Sequence, residues 1–231
     1  MQSDQVFSYS ARLLKPFITL LAEPAACSGK SESPQSVGDP DERIPIHSVH
    51  AWLAAAIEKT QDPLIGVRAG ALMASGDAGV IDYVLDSAST VADALDVTSR
   101  YMRLLNDAVD CRLEVDGSRV LFRMDARPPT PTAAEDFMLA SFFTSHTWLK
   151  RIPDLELWFR QAAPHTLLEH RRTFGATACR FGAPCSGVTF SRIHLQQRLE
   201  RADPNLHAIT RRLADIMLAE PDAGVREIRR R

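Results

Sequence analysis

The sequence lacks the features that mark membrane-spanning, secreted or strongly basic proteins. No apolar run approaches the roughly 20 residues that are needed to cross a bilayer. The N-terminal segment, MQSDQVFSYSARLLKPF, does not place a basic stretch before an apolar one, as a secretory signal does. The net charge of −2 gives no overall attraction to nucleic acid or to an anionic membrane. These absences predict a cytoplasmic protein without a membrane partner.

Cysteine is scarce, and metal-ligand patterns are missing. The sequence contains four cysteines: Cys27, Cys111, Cys179 and Cys185. None belongs to a CxxC pair, so we expect reduced thiols and no disulfide framework. The closest two histidines, His47 and His50, have no further ligands at the short spacing that zinc sites show. The sequence therefore indicates no metal ion and no other cofactor.

The length and composition allow a sizeable core. A chain of 231 residues, 45% hydrophobic and 24% charged, forms one large domain or two small ones. The segment from Cys27 to Arg43 is polar and rich in Ser, Pro and Gly, which is typical of a mobile linker. We therefore predict an N-terminal helix and linker (1–43), a main domain (44–220) and a basic C-terminal tail (221–231).

Apolar residues at helical spacing predict seven helices. They cover residues 6–22, 47–60, 62–76, 90–105, 132–151, 165–173 and 203–218. Thr90 with Asp93, and Thr132 with Glu135, have the spacing of capping boxes. The small residues between 66 and 71 would allow a neighbouring helix to approach closely.

The strongest strand signal is a hairpin. Residues Val109–Val115 and Val120–Met124 alternate apolar and polar side chains on either side of the turn dipeptide Asp116-Gly117. Residues Leu155–Arg160 form a further plausible strand. The predicted fold is α+β and rich in helix, with the helices packed around a small, mainly antiparallel sheet.

Three motifs resemble the N-terminal sensor domain of AraC-type bacterial transcription regulators, the so-called arabinose-binding type. One is a D-P-x-x-R-[apolar]-P junction. Another is a DP-x-x-G-x-x-x-G segment with a G-x-x-G turn and a T-[apolar]-x-x-A-L helix that ends in an aromatic residue and R-x-L-L. The third joins an aromatic-Gly pair to F-G-A-P and a short apolar strand. These motifs stand here as Asp39, Pro40, Arg43, Ile44, Pro45, Asp62, Pro63, Gly66, Gly70, Gly76, Gly79, Thr90, Ala94, Leu95, Tyr101, Arg103, Leu104, Leu105, Phe174, Gly175, Phe181, Gly182, Ala183, Pro184, Val188, Thr189 and Phe190.

This resemblance covers residues 40–220 and implies an effector-sensing and dimerisation domain. In that family the sensor precedes about 100 residues with two helix-turn-helix units, a length that makes a second domain. No such module is expected in this chain, so DNA would be contacted only through the absent C-terminal domain. The resemblance thus predicts a truncated bacterial regulator, or a fragment of one, that forms a homodimer. Its small-molecule effector would be amino-acid-like or apolar.

The helix predicted over residues 132–151 is unusually aromatic. Such residues are typical of a core, but they also line ligand pockets when a few polar groups accompany them. Together with the expectation of a sensor pocket, this gives six candidate lining residues: Tyr101, Arg112, Arg123, Phe142, His146 and Trp148.

The last helix carries a candidate dimer seam. Its members are Leu206, Ile209, Leu213, Ile216 and Met217. Two alternatives stay open. A stand-alone protein-interaction module would use the same seam without a ligand. A small hydrolase would use Cys185 or Ser186, although neither lies in the G-x-S-x-G turn that exposes a nucleophile. We favour a protein that is not an enzyme and has no catalytic residue.

Overall fold

The structure is a computed structural model that describes residues 7–22, 39–40, 42–127 and 129–219. These residues form eight α-helices and seven β-strands. The helices are α1 (Lys15–Ala22), α2 (Ile46–Thr60), α3 (Ile65–Ala71), α4 (Val80–Asp86), α5 (Val91–Tyr101), α6 (Thr132–Ser145), α7 (Leu168–Phe174) and α8 (Pro204–Ala219). The strands are β1 (Ser8–Ser10), β2 (Arg43–Pro45), β3 (Val109–Asp116), β4 (Arg119–Ala126), β5 (Glu156–Phe159), β6 (Ala178–Phe181) and β7 (Gly187–Ser191).

The main sheet has five strands in the order β3-β4-β7-β5-β6. All its pairs are antiparallel except β5 with β6, which run parallel. Alternate residues point into the core, and those of β4 (Val120, Phe122 and Met124) are fully buried. Helix α6 packs on this face, where Phe142 stacks against Phe122 with ring centroids 5.8 Å apart. The predicted α+β class with a mainly antiparallel sheet is confirmed.

The N-terminal segment joins the fold through a two-stranded sheet, in which β1 pairs antiparallel with β2. The guanidinium of Arg43 holds this sheet to the segment before β3. It donates hydrogen bonds to the carbonyls of Ser8, Arg103 and Leu104 and to the carboxylate of Asp107. The predicted helix over residues 6–22 is therefore wrong at its start. A strand and a 3₁₀ turn come first, and the α-helix begins at Lys15.

Helices α3 and α6 pack with almost no space between their backbones. A Cβ atom built on Gly66 would lie 1.9 Å from the carbonyl oxygen of Ala133, and one on Gly70 would lie 2.4 Å from the Cβ of Ala140. The Thr144 hydroxyl donates a 2.7 Å hydrogen bond to the Gly70 carbonyl across the same contact. The prediction that small residues in this segment admit a close neighbour is confirmed.

The helix ends follow some of the predicted capping patterns and not others. Thr90 and Asp93 form the predicted capping box, with amide-to-side-chain distances of 3.1 and 3.2 Å. The box predicted at Thr132 is wrong, because the N-cap is Pro131 and the Glu135 carboxylate bonds Ser186 and Arg160 instead. Helix α6 also stops at Ser145, since the backbone of the next residue is extended.

Local sequence patterns did not predict several of the short helices and strands, or their exact ends. Helix α4 and strands β1, β2 and β6 were not predicted. Helix α3 begins at Ile65 rather than at Asp62, whose carboxylate accepts the Leu64 amide at 3.0 Å in a turn. Helix α7 begins at Leu168, later than predicted. The predicted linker and the C-terminal tail lie mostly outside the described residues, so the proposed division into three segments stays a prediction.

Candidate ligand-binding site

A cavity of about 70 Å³ lies between the N-terminal segment, helices α4, α5 and α6, and strands β3 and β4. Its wall is mainly apolar and rich in flexible methionine side chains. Its apolar side chains include Met73, Leu85, Met124, Phe137, Met138 and Phe142. A mainly apolar cavity with a few polar groups is the usual composition of a small-molecule site.

The polar end of this cavity is formed by Asp82 and His146. Their side chains are 2% and 6% exposed, and His146 Nε2 lies 3.8 Å from Asp82 Oδ1. On its other side, His146 Nδ1 lies 3.7 Å from Asp86 Oδ1 and has no hydrogen-bond partner in the described part of the chain. These separations exceed hydrogen-bond length, so the three side chains are close without satisfying one another.

Asp82 is held in place by the turn that precedes α4. Its Oδ2 accepts hydrogen bonds from the amides of Gly76 and Ala78 at 2.8 and 2.9 Å. Gly76 and Gly79 make this turn possible because both have positive φ, at 100° and 68°. The Oδ1 atom is left facing His146. The sequence thus fixes one carboxylate oxygen by backbone bonds, whereas the other oxygen has the histidine as its neighbour.

Burial is the largest single influence on the pKa values of the two aspartates in this cluster. Desolvation raises the pKa of Asp82 above its ordinary value, although His146 and the two amides oppose the rise. Burial also acts to raise the pKa of Asp86, but His146, Ser75 and Arg201 outweigh it and lower that pKa. A cationic or hydrogen-bond-donating group placed beside Asp82 would offset the cost of burying its charge.

The structure brings together some of the six predicted pocket residues and separates others. Phe142 and His146 line the cavity. Trp148 lies behind them, with its ring centroid 6.2 Å from Phe142 and 6.3 Å from His146. Tyr101 is buried elsewhere, where its hydroxyl donates a 2.7 Å hydrogen bond to Asp215 of α8.

The two predicted arginines do not reach the cavity. Arg112 and Arg123 are opposite each other on β3 and β4 and point to the outer face of the sheet. Arg123 forms ion pairs with Glu114 and Asp125 at 3.2 and 3.0 Å there. The sequence interpretation missed Asp82. A single aspartate within the apolar segment Val80–Leu85 was the signal that could have indicated it.

The predicted dimer seam is an exposed stripe on α8. All five residues are 36–68% exposed, and the first four are separated by three, four and three positions, as in a coiled coil. The adjacent face of the helix is buried through Thr210 and Ala214 against the rest of the domain. Helix α8 therefore presents an apolar stripe to solvent while its other side anchors it.

Cys185 and Ser186, the candidate residues of the hydrolase alternative, are both buried. Ser186 donates a 2.9 Å hydrogen bond to Glu135, and no histidine in the described segments hydrogen-bonds to it. Burial raises the pKa of the Cys185 thiol, which favours the unreactive protonated form, although Arg123 opposes the rise. Within the described residues, neither side chain hydrogen-bonds to a histidine, the base that commonly activates such nucleophiles.

The described ranges, 7–22, 39–40, 42–127 and 129–219, contain neither a metal-binding cluster nor a membrane-spanning helix. No group of three or more His, Cys, Asp or Glu residues there is arranged to hold a metal ion. No helix in those ranges is long and apolar enough to cross a membrane.

Comparison with known proteins identifies the family of this domain. The model of the arabinose-binding domain at the N-terminus of AraC transcription regulators matches residues 23–199. The chain belongs to this family, and the resemblance seen in the sequence is confirmed. No curated protein matches the chain.

Among solved structures, the chain is similar to the transcriptional regulator CdpR from Pseudomonas aeruginosa. The TM-score is 0.57 at 18% sequence identity, over 91% of this chain and 62% of that regulator. At this identity the likeness concerns the fold. The chain spans less than two thirds of the length of CdpR.

Proposed function

We propose that this domain senses a small molecule in the cavity beside Asp82 and regulates transcription as a homodimer. Family membership supports a sensing role, and the observation that carries the proposal is the buried Asp82–His146 pair at one end of an apolar cavity. The charge of Asp82 is costly to bury, and Nδ1 of His146 has no hydrogen-bond partner in the described residues. Their retention beside a cavity favours a ligand that interacts with them. The effector would carry a hydrogen-bond-donating group, such as an amine, on a compact apolar body.

The size of the cavity constrains how the effector enters. A volume of about 70 Å³ is well below the several hundred Å³ that typically hold a drug-sized ligand. Anything larger than a few atoms must displace the wall. The thioether side chains of Met73, Met102, Met124 and Met138 can adapt without breaking hydrogen bonds. The site is therefore suited to a compact effector that widens the cavity as it binds.

Helix α4 provides the connection from the cavity to the proposed seam. Asp82 faces the cavity, whereas Val84 contacts a residue of α8 and Asp86 contacts a residue just before α8. The carbonyl of Val84 lies 3.0 Å from Nδ1 of His207, and Asp86 pairs with Arg201 at 3.2 Å. A shift of α4 on effector binding would move α8 and change the dimer equilibrium, which is how binding is coupled to a distant site.

Filling the cavity is expected to abolish effector binding without unfolding the domain. Ser141 of α6 lines the cavity, so Ser141→Leu would occupy the space that a ligand needs. A panel of small amines and guanidines, each with a matched neutral alcohol, is tested for its effect on the melting temperature. A binder stabilises the wild type by mass action, and Ser141→Leu should remove that shift.

The matched control is Thr132→Leu, which adds similar bulk at an exposed position of the same helix and should leave the shift intact. The proposal fails if no compound raises the melting temperature of the wild type. It also fails if Ser141→Leu responds as strongly as the wild type does.

The dimer seam gives a second prediction. Leu213→Glu combined with Ile216→Glu places like charges in the centre of the proposed contact, so we expect a monomer at concentrations at which the wild type sediments as a dimer. The control is Ala208→Glu, an exposed position of α8 outside the stripe. A wild-type monomer, or a double variant that still dimerises fully, would contradict the α8 seam.

A further inference from the structure

Strand β3 forms an open edge of the main sheet. Within the described part of the chain it pairs only with β4. From Arg112 to the hairpin turn, every residue of β3 is exposed, including Leu113 at 37% and Val115 at 49%. An edge strand offers unpaired amide and carbonyl groups to another strand.

Two hydrogen bonds define which β3 residues face this edge. The amide of Arg127 donates to the carbonyl of Ala108 at 3.0 Å, and the amide of Met124 donates away from β3, to Ser186 at 2.9 Å. Because bonded and non-bonded pairs alternate in an antiparallel ladder, the even-numbered residues of β3 bond to β4. The backbone groups of Cys111, Leu113 and Val115 therefore point outward.

We propose that β3 pairs antiparallel with β3 of a second copy of this chain, about a two-fold axis through Leu113. Three outward-facing residues would bond to their counterparts, and Leu113 would face itself across the axis. Cys111 would face Val115 of the second copy on the apolar side of the sheet. This surface is separate from the α8 seam, and the proposal does not depend on the effector or on that seam.

Charge complementarity supports a second copy as the occupant. In this register Arg112 faces Glu114 of the second copy, twice by symmetry and in the close, non-bonded type of pair. Within one chain the cross-strand neighbour of Arg112 is Arg123, a like charge. No carboxylate in the described residues forms an ion pair with Arg112, whereas Glu114 pairs with Arg123 of its own chain at 3.2 Å. In the proposed dimer, Glu114 of the second copy would therefore lie between its own Arg123 and Arg112 of the first copy.

The two ends of the proposed pairing bring like charges together. Asp110 would face Asp116 of the second copy, which alone would be unfavourable. However, Asp110 already pairs with Arg127 at 3.1 Å, and Asp116 lies opposite Arg119 on β4. Arg127 offsets the charge of Asp110, whereas Arg119 forms its ion pair with Asp154. The favourable charge contribution therefore comes from the two Arg112–Glu114 pairs at the centre of the interface.

A register-specific disulfide tests this proposal in the full chain. Arg112→Cys and Glu114→Cys proteins are oxidised separately and as a mixture, and linked peptides are identified by mass spectrometry. Directly opposed residues lie within the Cα separation that a disulfide needs, whereas residue 112 and its own counterpart are about 7–8 Å apart. We expect the 112–114 link to form in the mixture, with much lower yield of linked dimer from either protein alone. The unsubstituted chain gives the background from native cysteines.

Charge reversal provides a second measurement. At concentrations above those at which the Leu213→Glu/Ile216→Glu chain is monomeric, sedimentation should show association through β3. Arg112→Glu should weaken this association about tenfold, because two like-charge pairs replace two attractive ones. Adding Glu114→Arg should restore it. If that background is monomeric throughout and the mixture gives no excess of the 112–114 link, the proposal is overturned. Failure of the α8 seam alone would leave these results unchanged.

Discussion

Replacing Gly66 by alanine is expected to destabilise the domain by more than about 2 kcal/mol. The added methyl group would lie 1.9 Å from the carbonyl oxygen of Ala133 and 2.7 Å from its carbonyl carbon. Both atoms belong to the backbone of α6, so no rotamer change relieves the clash and the two helices must separate. Alanine raises helix propensity by up to about 1 kcal/mol over glycine, but this gain does not offset the lost packing.

The measurement is the free energy of unfolding by urea, with Ala71→Ser as the control. Ala71 is an exposed residue of the same helix, so its substitution adds one heavy atom without a contact and should change stability little. Gly70→Ala should also destabilise, because its Cβ would lie 2.4 Å from Ala140 Cβ and 2.8 Å from the Ser141 amide nitrogen. Wild-type stability in Gly66→Ala would show that α3 and α6 are not tightly held.

The features that could be predicted from the sequence are those that local residues determine. The β3–β4 hairpin follows from alternation on both sides of Asp116-Gly117, and the start of α5 follows from Thr90 and Asp93. In each case the residues that form the structure are neighbours in the sequence. Gly66 and Gly70 indicated a close helix contact, although the sequence did not show that α6 is the partner.

The missed features depend on contacts between distant residues. Strand β1 has three residues, and its partner β2 lies beyond a long segment, so no local alternation marks either one. At the start of α6, Glu135 had the spacing of a cap, but its carboxylate is taken by Arg160 and Ser186 from other elements. Tertiary contacts, rather than helix capping, therefore determine the position of the Glu135 side chain.

The sequence indicated some residues of the candidate site correctly, placed others wrongly and missed Asp82. Phe142 and His146 could be found because the aromatic segment that contains them lies beside the cavity. Arg112 and Arg123 were proposed because they are polar and near in sequence to buried strand residues. In a strand, however, neighbouring side chains point to opposite faces. Asp82 was missed because only the folded turn before α4 shows that its carboxylate is buried.

Asp136 is a buried aspartate whose replacement should change the stability of the domain considerably. Replacing this buried aspartate by asparagine is expected to stabilise the domain by about 2 kcal/mol above pH 7. Asp136 is 2% exposed, and its carboxylate accepts a hydrogen bond from the Gln161 amide, which an asparagine carbonyl can also accept. Burial, together with the adjacent charge of Glu135, raises the pKa of Asp136 from its ordinary 3.8 to about 7. Ionised Asp136 is therefore a cost that asparagine removes.

The sign of the pH dependence follows from this shift. Between pH 3.8 and about 7 the folded protein retains the Asp136 proton that the unfolded chain loses, so the stability contributed by this group falls as the pH rises. The advantage of Asp136→Asn should be largest above pH 7 and shrink towards pH 4. Urea unfolding across this range measures it, with the exposed Asp96→Asn as a control that should show no such trend. An Asp136→Asn variant that is less stable than wild type at pH 8 would mean that the ionised carboxylate is compensated by contacts stronger than the Gln161 hydrogen bond.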